Sequence, residues 1–407
     1  VSTQSTGMPV GPLTFEINKQ SGPVRAATVT LPHNKIQTPV YMPVGTQGTL
    51  KAITQSQIGD LDPKIMLSNT FFLNLRPGTE TLDLFSGLHN FSGIKTNFLT
   101  DSGGFQMVSL LDLTEITEEG VQFTSPVDSK RVMLTPEESI RTQQSIGSDV
   151  MMVLDDVVSA ELDPVADRAR IEEATQRTTR WLDRCIKAHT NEHQTMFAIV
   201  QGHLDISEGG FRDQSIRDIV ARKDQMGGIA IGGLSGGETK DSFWRVVKHC
   251  CEKLPNDKPR YLMGVGYPLD IVTCVMLGVD MFDCVYATRT GRFGTAFTMQ
   301  GEINLTREQF SSESGVIQEG CRCEACSGGF SRAYLNCLLK ENQATAGSLV
   351  SIHNVCFLLD LMTEMRKAIL QGTQNAFVQK FLKSWCKDKI EQWAIDALAS
   401  VGCTIEM

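Results

Sequence analysis

The sequence predicts an α/β fold of the (β/α)8, or TIM-barrel, type, and three observations predict it. Eight short apolar runs occur, near residues 39–45, 64–69, 97–101, 149–155, 196–201, 228–233, 260–265 and 280–285. Amphipathic stretches long enough for helices separate most of them, the alternation that a parallel sheet requires. The runs also stop, one after another, on polar or glycine positions: Asp101, Asp155, Gln201, Gly232-Gly233, Met263-Gly264 and Asp283. A barrel of parallel strands gathers its C-terminal strand ends at one mouth, where chemistry sits. The competing fold is an open doubly wound sheet, but no GxGxxG follows a strand and no GxxxxGK[ST] occurs.

The helices carry their own signals. Asp167 to His189 places Ile171, Ala174, Trp181, Leu182 and Cys185 at helical spacing. Thr135-Pro136-Glu137-Glu138 reads as a helix start, with a capping threonine, proline at the first helical position and a glutamate placed to complete a capping box. Gly147 then ends that helix before the fourth strand. Residues 106–134 are too long for a plain loop, and Glu115 to Phe123 alternates, so a small hairpin inserted after the third strand is expected. After residue 300 the texture changes: a Gly/Ser-flanked cysteine cluster precedes a helical run from Ser351 to Leu370, with His353 at its beginning. The expected division is a barrel catalytic region over 12–300 and, over 301–407, a metal-binding subdomain with C-terminal helices packing on the barrel.

Bulk composition narrows the function. In 407 residues, 41% hydrophobic and 21% charged, the balance is that of an ordinary globular chain. No stretch approaches the apolar length of a bilayer span. Val1 to Gly11 is polar and lacks a signal-peptide pattern, so an intracellular protein is expected. A net charge of −9 argues against bulk electrostatic capture of nucleic acid and leaves a polyanionic partner to a local basic patch or a second protein.

Of twelve cysteines, most lie in apolar segments, including Cys185, Cys250, Cys251, Cys274 and Cys284, where a thiol behaves as a small hydrophobe. Cys321, Cys323 and Cys326 differ. Their CxC and CxxC spacing, followed by His353, points to a Cys3His zinc site. Four protein ligands leave no position for substrate, so one structural Zn2+ is expected, pinning a loop to a helix. Cys337 and Cys356 are competing ligands.

Asp101, Asp155-Asp156 and Asp283 each have a bland reading, as turn residues, caps or satisfied buried carboxylates. Their shared placement at strand ends favours a polar pocket, because buried carboxylates without partners are costly. Paired carboxylates serve glycosyl transfer, one attacking the anomeric carbon and the other handling protons. A third acid can accept hydrogen bonds from a purine edge, with Gln201 and the Gly233 amide recognising a carbonyl. Arg289 and Arg292 supply local positive charge suited to phosphate.

These residues resemble the tRNA-guanine transglycosylase family, most of all its eukaryotic catalytic chains. The resemblance is carried by Asp101-Ser102-Gly103-Gly104-Phe105-Gln106, Gln201-Gly202, Gly232-Gly233-Leu234, Tyr261 to Gly266, Asp280 to Val285, Thr288-Arg289 and the Cys321, Cys323, Cys326, His353 set, and it spans roughly residues 12–405. It implies that Asp283 attacks ribose C1′ of a wobble guanosine, that Asp101 is general acid/base, and that queuine replaces guanine. It implies base recognition by Asp155, Gln201, Gly233 and Leu234 with Phe105 and Met263 sandwiching the base, and an anticodon loop held by Arg289 and Arg292. It further implies tRNA and a noncatalytic homologous subunit as partners in a heterodimer. A cytoplasmic location, with room for peripheral association with the mitochondrial outer membrane, follows in the same way.

Four positions depart from the family's pattern. Val157 stands where bacterial members carry cysteine. Gly236, in Leu234-Ser235-Gly236-Gly237, stands where they carry a bulkier residue, which leaves room for the cyclopentenediol of queuine. Phe72 replaces a usual histidine, and His203 a common glycine. Two other functions remain open: a retaining sugar hydrolase on the same barrel, which would want more stacking aromatics than 7% supplies, and a noncatalytic tRNA-docking chain, which would lack the catalytic aspartates.

Overall fold

The computed structural model describes residues 12–104, 115–124, 131–387 and 389–405. Eight parallel strands form the centre: β4 (Val40–Pro43), β5 (Ile65–Ser68), β6 (Asn97–Thr100), β10 (Val150–Met152), β11 (Thr195–Val200), β12 (Gly228–Ile231), β13 (Arg260–Leu262) and β14 (Met281–Cys284). Their spatial order is β4-β14-β13-β12-β11-β10-β6-β5. A parallel bridge from Val44 to Leu67 and a 2.7 Å bond from the Gly45 amide to the Leu67 carbonyl join the two ends, so the sheet closes into the expected barrel. Nearly every residue of these strands is buried, as it must be when side chains fill the interior and helices cover the outside.

The helices follow the local chemistry of their ends. Pro136–Ile146 starts on Thr135, whose hydroxyl accepts from the Glu138 amide at 3.1 Å, and stops at Gly147 with φ +71°. The expected reciprocal half of the capping box is replaced: the Glu138 carboxylate pairs with Arg141 instead, at 3.1 Å. Arg168–Ala188 buries the five residues its periodicity marks.

Three expectations are corrected. The insertion after β6 is no simple hairpin but a three-stranded antiparallel sheet, β7 (Glu115–Ile116), β8 (Val121–Thr124) and β9 (Arg131–Leu134). The C-terminal run is one helix, Ala344–Gln371, of 28 residues; it begins two turns before His353, because the weakly amphipathic Ala-Thr-Ala-Gly start hides it. That helix is also long and apolar enough to match a bilayer span, contrary to expectation, but most of it is buried inside the protein; a helix packed on all sides has no need of a polar face. Two elements carry no clear pattern in the sequence, the antiparallel sheet β1 (Thr14–Ser21), β2 (Val24–Thr30), β3 (Lys35–Thr38) and the hairpin β15 (Thr295–Thr298), β16 (Gly301–Asn304).

Long-range polar contacts tie these additions to the barrel. Arg25 on β2 is fully buried and grips both oxygens of Asp280, just before β14, at 2.9 and 2.5 Å. Arg366 of the long helix donates to the Ala27 and Thr38 carbonyls, both at 2.7 Å. At the N-terminal end of β10, buried Asp149 accepts from the Phe98 amide and faces His33 and His89, whose rings stack at 3.6 Å.

Candidate active site

Parallel strands put Asp101 one residue past β6, Asp283 within β14, Asp155 three residues past β10 and Gln201 one past β11. All four side chains are buried, and the Asp283 charge acts on Asp101, so the strand-end rule gathers them at one mouth.

Asp101 sits in a shell of donors. Asn69 Nδ2 donates to its Oδ2 at 2.6 Å, while the Thr70 and Gly103 amides donate to Oδ1, each at 3.1 Å. Burial nevertheless dominates, and with the nearby Asp283 charge it raises the Asp101 carboxyl to about 7 against these donors. A carboxyl poised there gives and takes protons near neutrality.

Asp283 is held differently. The Tyr261 hydroxyl donates to its Oδ1 at 2.5 Å and the Gly264 amide donates to the same oxygen at 2.8 Å. Burial pushes the carboxyl above the usual range, and both donors oppose the push. Burial also holds the Tyr261 phenol protonated, well above 10. Two carboxylates therefore face one pocket in different surroundings, the arrangement that separates acid/base from nucleophile.

Asp155 accepts from Gln201 Nε2 at 2.7 Å. Burial, opposed by that bond and helped by neighbouring Asp156, raises it to about 7. Asp156 points its own carboxylate to Arg170 and Arg177. Gln201 Oε1 has no hydrogen-bond partner among the described residues, which leaves an amide oxygen for a ligand. Gly233 adopts φ +67°, and a Cβ there would stand 2.5 Å from that oxygen, so glycine is required for the close approach. Leu234 and Met263 are half-buried beside these residues. Phe105 lies outside the described residues. Arg289 is exposed and Arg292 half-buried on the short helix Tyr286–Arg292 that follows β14, and neither forms an ion pair among the described residues.

Residue-type reasoning missed several partners. Asn69, Thr70, Tyr261 and the Gly264 amide hold the two carboxylates, and the first two could have been found by the same strand-end rule, since Asn69 directly follows β5. The backbone bears on the departure at 203, and nothing in the structure explains the one at 72. His203 adopts φ +53°, the left-handed region that explains a preference for glycine there, and its ring bonds the Ala160 carbonyl at 3.1 Å. Phe72 packs edge-on to Phe71, at 5.2 Å between centroids. A Cβ on Gly236 would meet nothing nearer than Ala160, at 3.9 Å.

The metal-ligand set assembles as its spacing implied. Cys321, Cys323, Cys326 and His353 bring one ligand atom each within 4.8 Å of one another. His353 Nδ1 lies 3.6, 3.4 and 3.4 Å from the three sulfurs. A tetrahedral zinc with sulfur ligands at about 2.3 Å and nitrogen at about 2.0 Å has S···N edges of roughly 3.5 Å, so the donor set fits that ion. The other ring nitrogen, Nε2, bonds the Phe297 carbonyl at 2.7 Å and thereby leaves Nδ1 free to ligate. Cys356 hydrogen-bonds Cys321 at the edge of the cluster and donates to Asp360 at 3.5 Å, without joining the four-atom set, and Cys337 is exposed.

A closed (β/α)8 barrel with buried carboxylates and an amide at its mouth, and a Cys3His site beside it, defines a barrel enzyme of carboxylate chemistry. The sequence profile described as queuine tRNA-ribosyltransferase matches residues 20–387. The queuine tRNA-ribosyltransferase catalytic subunit of Schizosaccharomyces pombe is 49% identical over 388 residues, covering 93% of this chain and 94% of that protein. That of Caenorhabditis elegans is 41% identical over 408 residues, with 96% and 99% covered. The queuine tRNA-ribosyltransferase of Thermus thermophilus is 39% identical over 392 residues, again with 96% and 99% covered. The chain belongs to the queuine tRNA-ribosyltransferase family.

Proposed function

We propose that this chain is a pentosyltransferase that exchanges the wobble guanine of tRNA anticodons for queuine through a covalent aspartyl-ribosyl intermediate. The observation that carries the reading is the meeting of Asp101 and Asp283 in one buried mouth, each in a different shell of donors. Asp283 attacks ribose C1′, and guanine departs with the bonding electron pair. Asp101, raised to about 7, supplies a proton to the departing base and takes one from the incoming base. The incoming nitrogen then forms its bond to C1′, and Asp283 is released as carboxylate. The glycosyl ester retains the reactivity of the original bond, so no nucleotide triphosphate is consumed.

Asp155 accepts from the purine edge, and Gln201, the Gly233 amide and Leu234 complete recognition, with Phe105 and Met263 on the two faces of the base. The target guanine leaves its stack to reach this depth. Arg289 and Arg292 hold the anticodon-loop phosphates. Zinc on Cys321, Cys323, Cys326 and His353 has a structural role, and a noncatalytic homologous subunit completes the tRNA surface in a heterodimer, in keeping with the net charge of −9.

The test is incorporation of radiolabelled guanine into tRNA, with and without the candidate partner and with Asp283→Ala as control. Incorporation that vanishes in the variant supports the reading. Absence of incorporation from folded, zinc-loaded protein under every condition overturns it in favour of a tRNA-docking role.

A further inference from the structure

The two donors on Asp283 converge on one oxygen. Tyr261 and the Gly264 amide both bond Oδ1, at 2.5 and 2.8 Å, and Oδ2 has no donor among the described residues. Tyr261 is fully buried, on β13 beside β14, so its hydroxyl is fixed before substrate arrives. An oxygen holding two strong hydrogen bonds is the poorer nucleophile. Oδ2 is thus the oxygen that attacks, and Oδ1 becomes the carbonyl oxygen of the ester.

We infer that Tyr261 is a positioning residue whose hydroxyl governs the second half-reaction, making Asp283 a leaving group as well as a nucleophile. The inference rests on the covalent reading above. In the first step an Oδ2 lone pair forms the bond to C1′, the bond from C1′ to the guanine nitrogen breaks, and the base takes the electron pair. The carboxylate loses charge, so the bonds from Tyr261 and Gly264 to Oδ1 weaken. In the second step the incoming base nitrogen, its proton passed to Asp101, forms a bond to C1′. The bond from C1′ to Oδ2 breaks and its electron pair returns to the carboxylate. Charge grows back on Oδ1, and the donors strengthen in the transition state, which is the condition for catalysis. Tyr261 keeps its proton throughout. Its bond therefore favours departure of Asp283 over attack by Asp283.

Tyr261→Phe retains the ring and removes the donor. With Asp283 left less stabilised as an anion, two effects are expected. The SDS-stable tRNA–protein adduct is to accumulate to a higher fraction than in the parent, and its chase by added base is to slow by roughly 10- to 100-fold, as for loss of one hydrogen bond to a charged group. The acid limb of the exchange rate is also to move to higher pH, because the donor that opposes the raised Asp283 carboxyl is gone. A purely structural role would lower adduct and turnover together and leave the acid limb in place; that outcome overturns the inference, as does an unchanged chase rate.

Zinc content and melting temperature confirm that the variant is folded. If it is not, 3-fluorotyrosine placed at 261 gives the second measurement: a more acidic phenol strengthens the donor, and the chase is to quicken, with a slower or equal chase overturning the inference. The parent and Asp283→Ala run alongside. Parent protein that forms no adduct while still exchanging guanine defeats the covalent reading itself, an outcome distinct from a parental adduct that Tyr261→Phe leaves unaltered.

Discussion

Asp155→Asn should make the protein more stable while it disables base recognition. Asp155 is 6% exposed, and its carboxyl is raised from 3.8 to about 7, chiefly by burial. Asparagine has the shape of the protonated acid, so the comparison isolates the ion. A group with a raised folded-state value contributes stability that is whole below its unfolded value and is lost as pH rises through the folded one. Near pH 4 aspartic acid and asparagine should be equivalent at this site. Between about 4 and 7 the unfolded chain ionises and the folded one does not, at about 1.4 kcal/mol per pH unit. The shift from 3.8 to about 7 therefore places the gain of the asparagine variant at no more than about 4 kcal/mol at pH 8, and about 1.5 kcal/mol at pH 5. For a chain of this length each kcal/mol corresponds to roughly 1 °C in Tm. Urea unfolding at pH 5, 6.5 and 8 reads the difference directly. Labelled-guanine exchange on the same samples should fall about 10-fold or more, because a donor now stands where the base requires an acceptor. A variant no more stable than the parent at pH 8, or a gain that does not shrink toward pH 5, would refute the buried-anion argument. Unimpaired exchange would refute the recognition role.

Other consequences are more direct. Cys323→Ser should lose the bound metal and lower the unfolding midpoint, because a Cys3His set of this geometry couples metal binding to folding; elemental analysis with thermal melts checks it, and an unchanged melt of metal-free protein would count against a structural role. Gly236→Val should fold normally, since a Cβ there meets nothing within 3.9 Å, and should lose queuine use relative to the smaller bacterial precursor base; unaltered queuine use with poor precursor use would end the size argument. Arg289→Ala with Arg292→Ala should raise the KM for tRNA, flatten its salt dependence by about two phosphate contacts, and leave guanine affinity alone. A KM effect confined to the base would contradict that assignment.

Much of this site was legible in the chain because both barrel and site obey a local rule. A parallel strand buried on both faces must be a short apolar run, and the first residues past it must be polar or glycine where the chain turns at the mouth. That rule marks Asp101, Gln201 and Gly233 as well as it marks the strands. The three cysteines of the candidate metal site were legible for a similar reason: CxC and CxxC place three thiols within one loop whatever surrounds it. The choice of His353 over Cys356 was not, because both lie on one helix and both reach the cysteine cluster, and only the packed structure brings His353 Nδ1 against all three sulfurs.

The sequence alone determined the barrel, the mouth residues and the metal-binding cysteines, all of which follow from neighbours along the chain. The tertiary structure decided the rest. It bonds the Tyr261 hydroxyl to Asp283 across adjacent strands, surrounds Asp101 with Asn69 and Thr70 from the turn just past the neighbouring strand, and raises Asp101 and Asp155 to about 7. It also decided that β1 to β3 fasten to the barrel through Arg25 and Asp280, separated by 255 positions in the chain. Each of these depends on desolvation and on donors contributed by distant segments, and burial has no value until the chain has closed around the group.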